Sequence, residues 1–144
     1  MTQYPVVLEV EETAAGWRVR AATAIERALE RPTSLQAELR CIELDYQATL
    51  AAVREALASA GKGRDRDPRA FWYAGKYLAD FIGRLESHGF YLVEKNIAPA
   101  RHLGISRASV EKMMAFYQRY PDPFQIDTSV PWSAYRDNKE RQAK

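Results

Sequence analysis

Six polar and basic residues occur within the 19 positions from 101 to 119 of the sequence. Their side chains are of types that bind polyanions. They are Arg101, Ser106, Arg107, Ser109, Lys112 and Arg119. A guanidinium group can donate paired hydrogen bonds to a phosphate or to a guanine base, and hydroxyl groups also contact phosphates. We therefore predict contacts with duplex DNA. Arg107 is the candidate for base readout, and Arg101 and Arg119 are candidates for the DNA backbone.

One acidic neighbour limits that prediction. Glu111 follows Arg107 by four residues, a spacing at which two side chains meet on the surface of a helix. We expect the two to pair, and this pairing would blunt base readout by Arg107.

Residues 98–120 have the pattern of a helix-turn-helix unit. Ala100 is small where a second helix must cross closely, and Gly104 can adopt the positive φ of a tight turn. Ser106 is a favourable N-cap for the second helix, whose N-terminal end enters the major groove in this motif. The angle between the helices is expected to be filled by Leu103, Ile105, Val110 and Met113. Two helices packed at an angle also occur with a purely structural role.

The residue types that most often bind metals or perform catalysis are sparse and scattered. His88, His102 and Cys41 do not have the spacing of metal ligands, and Asp65 and Asp67 lie in a segment that would not hold them in place. We therefore predict no enzymatic activity, no metal and no cofactor. We expect His102 to be a surface or capping residue and Cys41 to be half-buried.

Apolar periodicity predicts a mainly α-helical domain. Residues 33–60 form the clearest helix, with an apolar stripe from Leu35 to Leu57 at intervals of three and four residues. This stripe could be a core face or an oligomer seam. The aromatic residues of the next helix also have helical spacing, which favours a core position over a base-stacking platform.

Glycines and prolines divide the rest of this single 144-residue domain. Residues 61–68 form a predicted exposed linker, residues 69–137 a helical region, and residues 138–144 a frayed tail. Gly75 and Gly83 lie inside the first helix of that region, and each is predicted to mark the close approach of another backbone.

The N-terminal 32 residues have a different pattern. Apolar and polar residues alternate from Val6 to Val10 and from Trp17 to Arg20, on either side of a turn containing Gly16. This alternation predicts a small β-hairpin, and a capping sequence predicts a short helix from Ala24 to Glu30.

Charge is distributed unevenly along the chain. Residues 1–60 carry six Lys/Arg and nine Asp/Glu, whereas residues 61–144 carry 15 and 10. This asymmetry is compatible with one face for DNA and another for a partner. A single cysteine, with no signal peptide or membrane span in the sequence, predicts a cytoplasmic protein without membrane association.

Four short motifs resemble the N-terminal helical domain of YhcG-like bacterial proteins. They occur in the family's order across residues 40–137, at Trp72–Gly75, Leu103–Ser106, Met113–Pro121 and Val130–Tyr135. In that family the domain usually precedes a PD-(D/E)XK nuclease domain, and it is thought to bind DNA or to assemble a complex.

Two departures qualify the resemblance. Only nine residues follow Tyr135, too few for a nuclease domain, and Ala134 replaces the histidine of the family's W-S-H-Y motif. The resemblance therefore implies a non-catalytic DNA-binding protein, within a mobile-element or defence assembly. The alternative is an interaction or oligomerisation module, as a homodimer or with a nuclease or recombinase partner, that makes no direct contact with DNA.

Overall fold

A computed structural model describes residues 6–13, 16–23, 32–61, 66–88, 90–92 and 95–139. The predicted helix Ala24–Glu30 lies outside the described residues, as do residues 62–65 of the predicted linker and the last five residues of the tail.

The domain is mainly α-helical, as predicted. Its described residues form five α-helices: α1 (Pro32–Ser59), α2 (Pro68–Ser87), α3 (Ile97–Leu103), α4 (Arg107–Arg119) and α5 (Trp132–Arg136). A single 3-10 turn, Pro123–Gln125, lies between α4 and α5.

The predicted stripe of α1 is a core face. Leu39, Tyr46, Leu50 and Val53 are all buried, and Ile42 and Leu57 pack against the same interior. Helices α1 and α2 therefore form the framework on which the shorter helices are placed.

Helix α2 begins at a well-formed cap. The Asp67 side chain accepts a hydrogen bond from the Arg69 amide at 2.9 Å, and Pro68 occupies the first helical position, where a proline has no hydrogen bond to lose. The aromatic residues behind this cap join the core, since Phe71 stacks on Trp132 with ring centroids 4.5 Å apart.

The two glycines of α2 have different surroundings. A Cβ atom on Gly75 would lie 2.0 Å from the Met113 carbonyl oxygen, so α4 crosses α2 at this residue, as predicted. The prediction for Gly83 is wrong, because no atom lies within 4 Å of its Cβ position. Gly83 is on the exposed face of the helix.

A three-stranded sheet completes the fold, with strand order β2-β1-β3. Strands β1 (Val6–Thr13) and β2 (Gly16–Thr23) pair antiparallel, as the alternation in the sequence predicts. The third strand, β3 (Phe90–Leu92), pairs parallel with β1 and was not predicted, because three residues are too few to show a period.

Candidate nucleic-acid interface

The turn between α3 and α4 has the predicted geometry. Gly104 adopts a left-handed conformation with φ 72° and ψ 30°, and the Ile105 amide donates to the Ala100 carbonyl oxygen at 3.0 Å. This arrangement ends α3 and reverses the chain within a few residues. Ala100 itself is buried, consistent with its predicted place beneath the second helix.

Ser106 caps α4 as predicted. Its Oγ accepts a hydrogen bond from the Ser109 amide at 3.0 Å and lies 2.9 Å from the Ser109 Oγ. The capping interaction fixes the start of α4 and leaves Ser106 exposed at the surface.

One face of α4 fixes the helix to the core. Val110, Met113 and Phe116 are each at most 1% exposed, whereas Leu103 and Ile105 are partly buried. The apolar contacts predicted from the sequence are therefore present, with Val110 and Met113 as the most deeply buried members. The opposite face of α4 is left to solvent.

Two ion pairs lie on that exposed face. The Arg107 Nε lies 2.7 Å from the Glu111 Oε1, which confirms the predicted pair, although the Arg107 side chain remains 62% exposed. The Lys112 Nζ lies 3.4 Å from the Asp137 Oδ1, a contact that the sequence did not indicate. Each basic group near the start of α4 therefore has a carboxylate beside it.

Asp137 is shared between two cations. Arg136 donates to its carboxylate through Nε and Nη2, at 3.1 and 3.2 Å, and Lys112 approaches the same group. These contacts hold the pKa of Asp137 below its ordinary value, with the Arg136 hydrogen bond as the largest cause. Asp137 therefore remains ionised beside the exposed face of α4 at neutral pH.

Arg119 is exposed, but its guanidinium is bound to other residues of the domain. Its guanidinium donates to the Tyr135 carbonyl oxygen at 2.9 Å and to the Asn138 side chain, and it lies over the Tyr120 ring at 5.2 Å from the centroid. It joins the end of α4 to the segment after α5. Arg101 is likewise exposed, on α3.

Four of the six predicted residues lie near the start of α4, and the other two lie apart from them. Ser106, Arg107 and Ser109 share the first turn of α4, and Lys112 follows about one turn later. Arg101 belongs to the preceding helix, and Arg119 lies at the far end of α4.

The prediction that His102 is a surface or capping residue is wrong. His102 is 8% exposed, and its Nδ1 lies 2.6 Å from the hydroxyl of fully buried Tyr46. Arg54 donates to the His102 carbonyl oxygen at 2.8 Å. These contacts attach α3 to α1. The signal in the sequence for a buried partner such as His102 was Tyr46 itself. Its hydroxyl lies within an apolar stripe, and a buried hydroxyl requires a hydrogen-bond partner.

Burial has a clear electrostatic effect on Tyr46. It raises the pKa of the phenol well above its ordinary value of 10.0, and nearby Arg101 and Arg54 oppose that rise. Tyr46 is therefore a neutral hydrogen-bonding group wherever the protein is folded at physiological pH.

Cys41 is exposed, so the prediction of a half-buried thiol is wrong. Within the described ranges, no three His, Cys, Asp or Glu residues are grouped as metal ligands would be. No helix in the described part of the chain is both long and apolar enough to cross a bilayer.

Comparisons with known proteins give one partial likeness. The chain is 33% identical over 107 residues to the ubiquitin carboxyl-terminal hydrolase BAP1 of Xenopus laevis, and 32% identical over the same length to BAP1 of Xenopus tropicalis. The matched segment is 73% of this chain but 15% of each relative. No family profile and no solved structure gives a match. The chain thus spans about 15% of the length of the curated relatives it matches, and this likeness assigns it to no family.

Proposed function

We propose that this protein binds duplex DNA without catalysing a reaction, and that the N-terminal half of α4 is its contact surface. The supporting observation is the division of α4 into two faces. Val110, Met113 and Phe116 fix one face to the core, while Arg107 and Lys112 extend from the other. A recognition helix must be held rigidly by one side and present its N-terminal end to the major groove on the other.

DNA can bind this face if its phosphates replace the carboxylates that now pair with the basic side chains. Arg107 and Lys112 would give up Glu111 and Asp137 for phosphate oxygens. Exposed ion pairs contribute about 0–1 kcal/mol each, so the exchange costs little. Each phosphate contact releases condensed counterions, and binding therefore weakens steeply as salt increases.

The test is a double substitution, Arg107→Ala with Lys112→Ala. Fluorescence anisotropy with a labelled duplex, repeated over a range of salt, should show that binding is abolished. Any residual binding should have a salt slope lower by about 0.9 for each phosphate contact removed. The melting temperature should stay near that of the wild type, because both side chains are exposed.

Arg40→Ala is the matched control. Arg40 is also an exposed arginine in an ion pair on its own helix, here with Glu43 on α1. The Arg40→Ala variant should bind DNA with the affinity of the wild type. Absence of salt-sensitive binding by the wild type at low ionic strength would refute the proposal, as would an equal loss of binding in the control.

A second candidate function is self-association through α1. Beside the buried stripe, a second row of positions is exposed at alternating steps of four and three residues: Ala37, Cys41, Leu44, Ala48, Ala51, Glu55 and Ala58. Leu44 is 52% exposed. This heptad spacing, with mostly small or apolar residues, is the pattern by which a helix pairs with a second helix. The occupant we propose is α1 of a second copy of this chain.

Light scattering of the purified chain tests this candidate. The wild type should be a dimer, and Leu44→Glu should yield monomers because it places a charge in the seam. Phe124→Glu is the control, since Phe124 is 95% exposed but lies in the 3-10 turn and not on α1. A wild type that is monomeric at all concentrations would exclude this candidate without affecting the DNA-binding proposal.

A further inference from the structure

A small cavity lies where the ends of several helices meet. Its volume is about 250 Å³, and its lining comes from the end of α1, the first turns of α2, the α3–α4 turn with α4, and α5. The cavity adjoins the exposed ion pairs of α4: neither Arg107 nor Lys112 lines it, but Arg136 does, and Arg136 shares Asp137 with Lys112.

The inner wall of the cavity is aromatic and rigid. Phe71 and Trp132 line it, and their rings stack with planes 3° apart and centroids separated by 4.5 Å. Met113 contributes a further buried apolar surface. A flat apolar group is the shape that such a wall accommodates best.

Two arginines lie at the edge of this apolar wall. The guanidinium of Arg66 is 5.1 Å from the centre of the Phe71 ring and has no ion pair with a described carboxylate. Arg136 binds Asp137 through Nε and Nη2, which leaves its Nη1 group for another acceptor. None of the described residues that line the cavity is acidic, and Ser109 is its remaining polar member.

We propose that this cavity binds a small aromatic carboxylate, with the ring against Phe71 and Trp132 and the carboxylate between Arg66 and Arg136. The apolar wall recognises the ring, and the two guanidinium groups provide charge-assisted hydrogen bonds to the carboxylate. The volume is below the roughly 300–1,000 Å³ of sites for drug-sized ligands, which limits the ligand to about one ring. The observations that support this site do not depend on the proposed DNA binding.

Benzoate is the probe, and benzamide is its neutral counterpart of nearly the same shape. Titration calorimetry should show saturable binding of benzoate, with benzamide at least about tenfold weaker because it lacks the charge. In NMR spectra, the indole N–H resonance of Trp132 should shift with benzoate. The Trp72 indole, which donates to the Tyr120 carbonyl oxygen and does not line the cavity, should not shift.

Substitutions at the edge of the cavity locate the carboxylate. Arg66→Gln and Arg136→Gln should each weaken benzoate binding by about tenfold or more, whereas benzamide binding should change little. Arg69→Gln is the matched control, because Arg69 is exposed and close in sequence to Arg66 but does not line the cavity. Circular dichroism should show that all three variants are folded.

Three results would each overturn the proposal. They are the absence of saturable benzoate binding, equal affinity for benzoate and benzamide, or wild-type affinity in both Arg66→Gln and Arg136→Gln. An unchanged Trp132 resonance at saturating benzoate would place any binding elsewhere and would likewise overturn it.

Discussion

The contact between α2 and α4 makes Gly75→Ala the most informative single change in this protein. A methyl group at residue 75 would lie 2.0 Å from the Met113 carbonyl oxygen and 2.5 Å from its carbonyl carbon, whereas ordinary contact begins at 3.4 Å. The obstacle is the backbone at Met113, on the buried face of α4, and not the end of a flexible side chain. Helix α4 would therefore have to move by more than an ångström to accept the methyl group.

The cost can be estimated from two opposing effects. Over-packing of a core costs about 1–3 kcal/mol, and a backbone obstacle places this site at the upper end of that range. Replacing a helical glycine by alanine returns about 1 kcal/mol of helix propensity. The net loss should be about 2 kcal/mol or more. In a chain of 144 residues this lowers the melting temperature by roughly 8 °C.

Gly83→Ala is the control, since it makes the same chemical change in the same helix. No atom lies within 4 Å of its Cβ position, so the propensity gain acts there unopposed. The unfolding free energy should increase by about 1 kcal/mol. Urea denaturation followed by circular dichroism measures both variants, and they should change stability in opposite directions.

If Gly75→Ala unfolds at the same urea concentration as the wild type, or at a higher one, then α4 does not cross α2 at this residue in solution. The orientation of the proposed DNA-binding face would then need revision, because Met113 and its neighbours determine which residues of α4 point outward. A loss of stability in Gly83→Ala would instead refute the helix-propensity argument.

Three further predictions concern the α1–α3 contact and the α4 surface. Tyr46→Phe should reduce the unfolding free energy by about 1–3 kcal/mol in urea denaturation, because it leaves the buried His102 nitrogen without its partner; no change would contradict this contact. Burial raises the pKa of Tyr46 above 10.0, so the folded state favours the neutral phenol, and stability should be complete below pH 10 and decline as pH rises beyond it. That decline should be smaller in Tyr46→Phe. Glu111→Gln should tighten DNA binding in the anisotropy assay by releasing Arg107, and weaker binding would count against the proposed surface.

The features that the sequence predicted well are those determined over a few neighbouring residues. Gly104 ends a helix because a positive φ suits glycine, and Ser106 caps the next one because its hydroxyl reaches the Ser109 amide. The Arg107–Glu111 pair follows from helical spacing alone. Each of these is a local consequence of backbone geometry.

The features that were missed depend on contacts between distant parts of the chain. His102 is buried because α1 places Tyr46 beside it, and the two residues are 56 positions apart. Lys112 finds Asp137 only after α5 has packed next to α4. Gly75 and Gly83 both lie inside α2, but the α4 backbone lies against residue 75 and no atom lies within 4 Å of the Cβ position of residue 83. Helical periodicity identifies which residues share a face, but it does not say which helix lies against that face.

The parallel pairing of β1 with β3 also has a consequence for synthesis of the chain. Val6 pairs with Phe90 and Leu8 with Leu92, so the first three residues of one β1 edge are paired by a strand translated more than 80 residues later. At about 5–20 residues per second, that edge waits on the order of 4–16 s on the ribosome. During this interval the hairpin can form, while one row of β1 backbone groups stays open to pairing with other nascent chains. A chain interrupted before Phe90 would keep this edge permanently exposed.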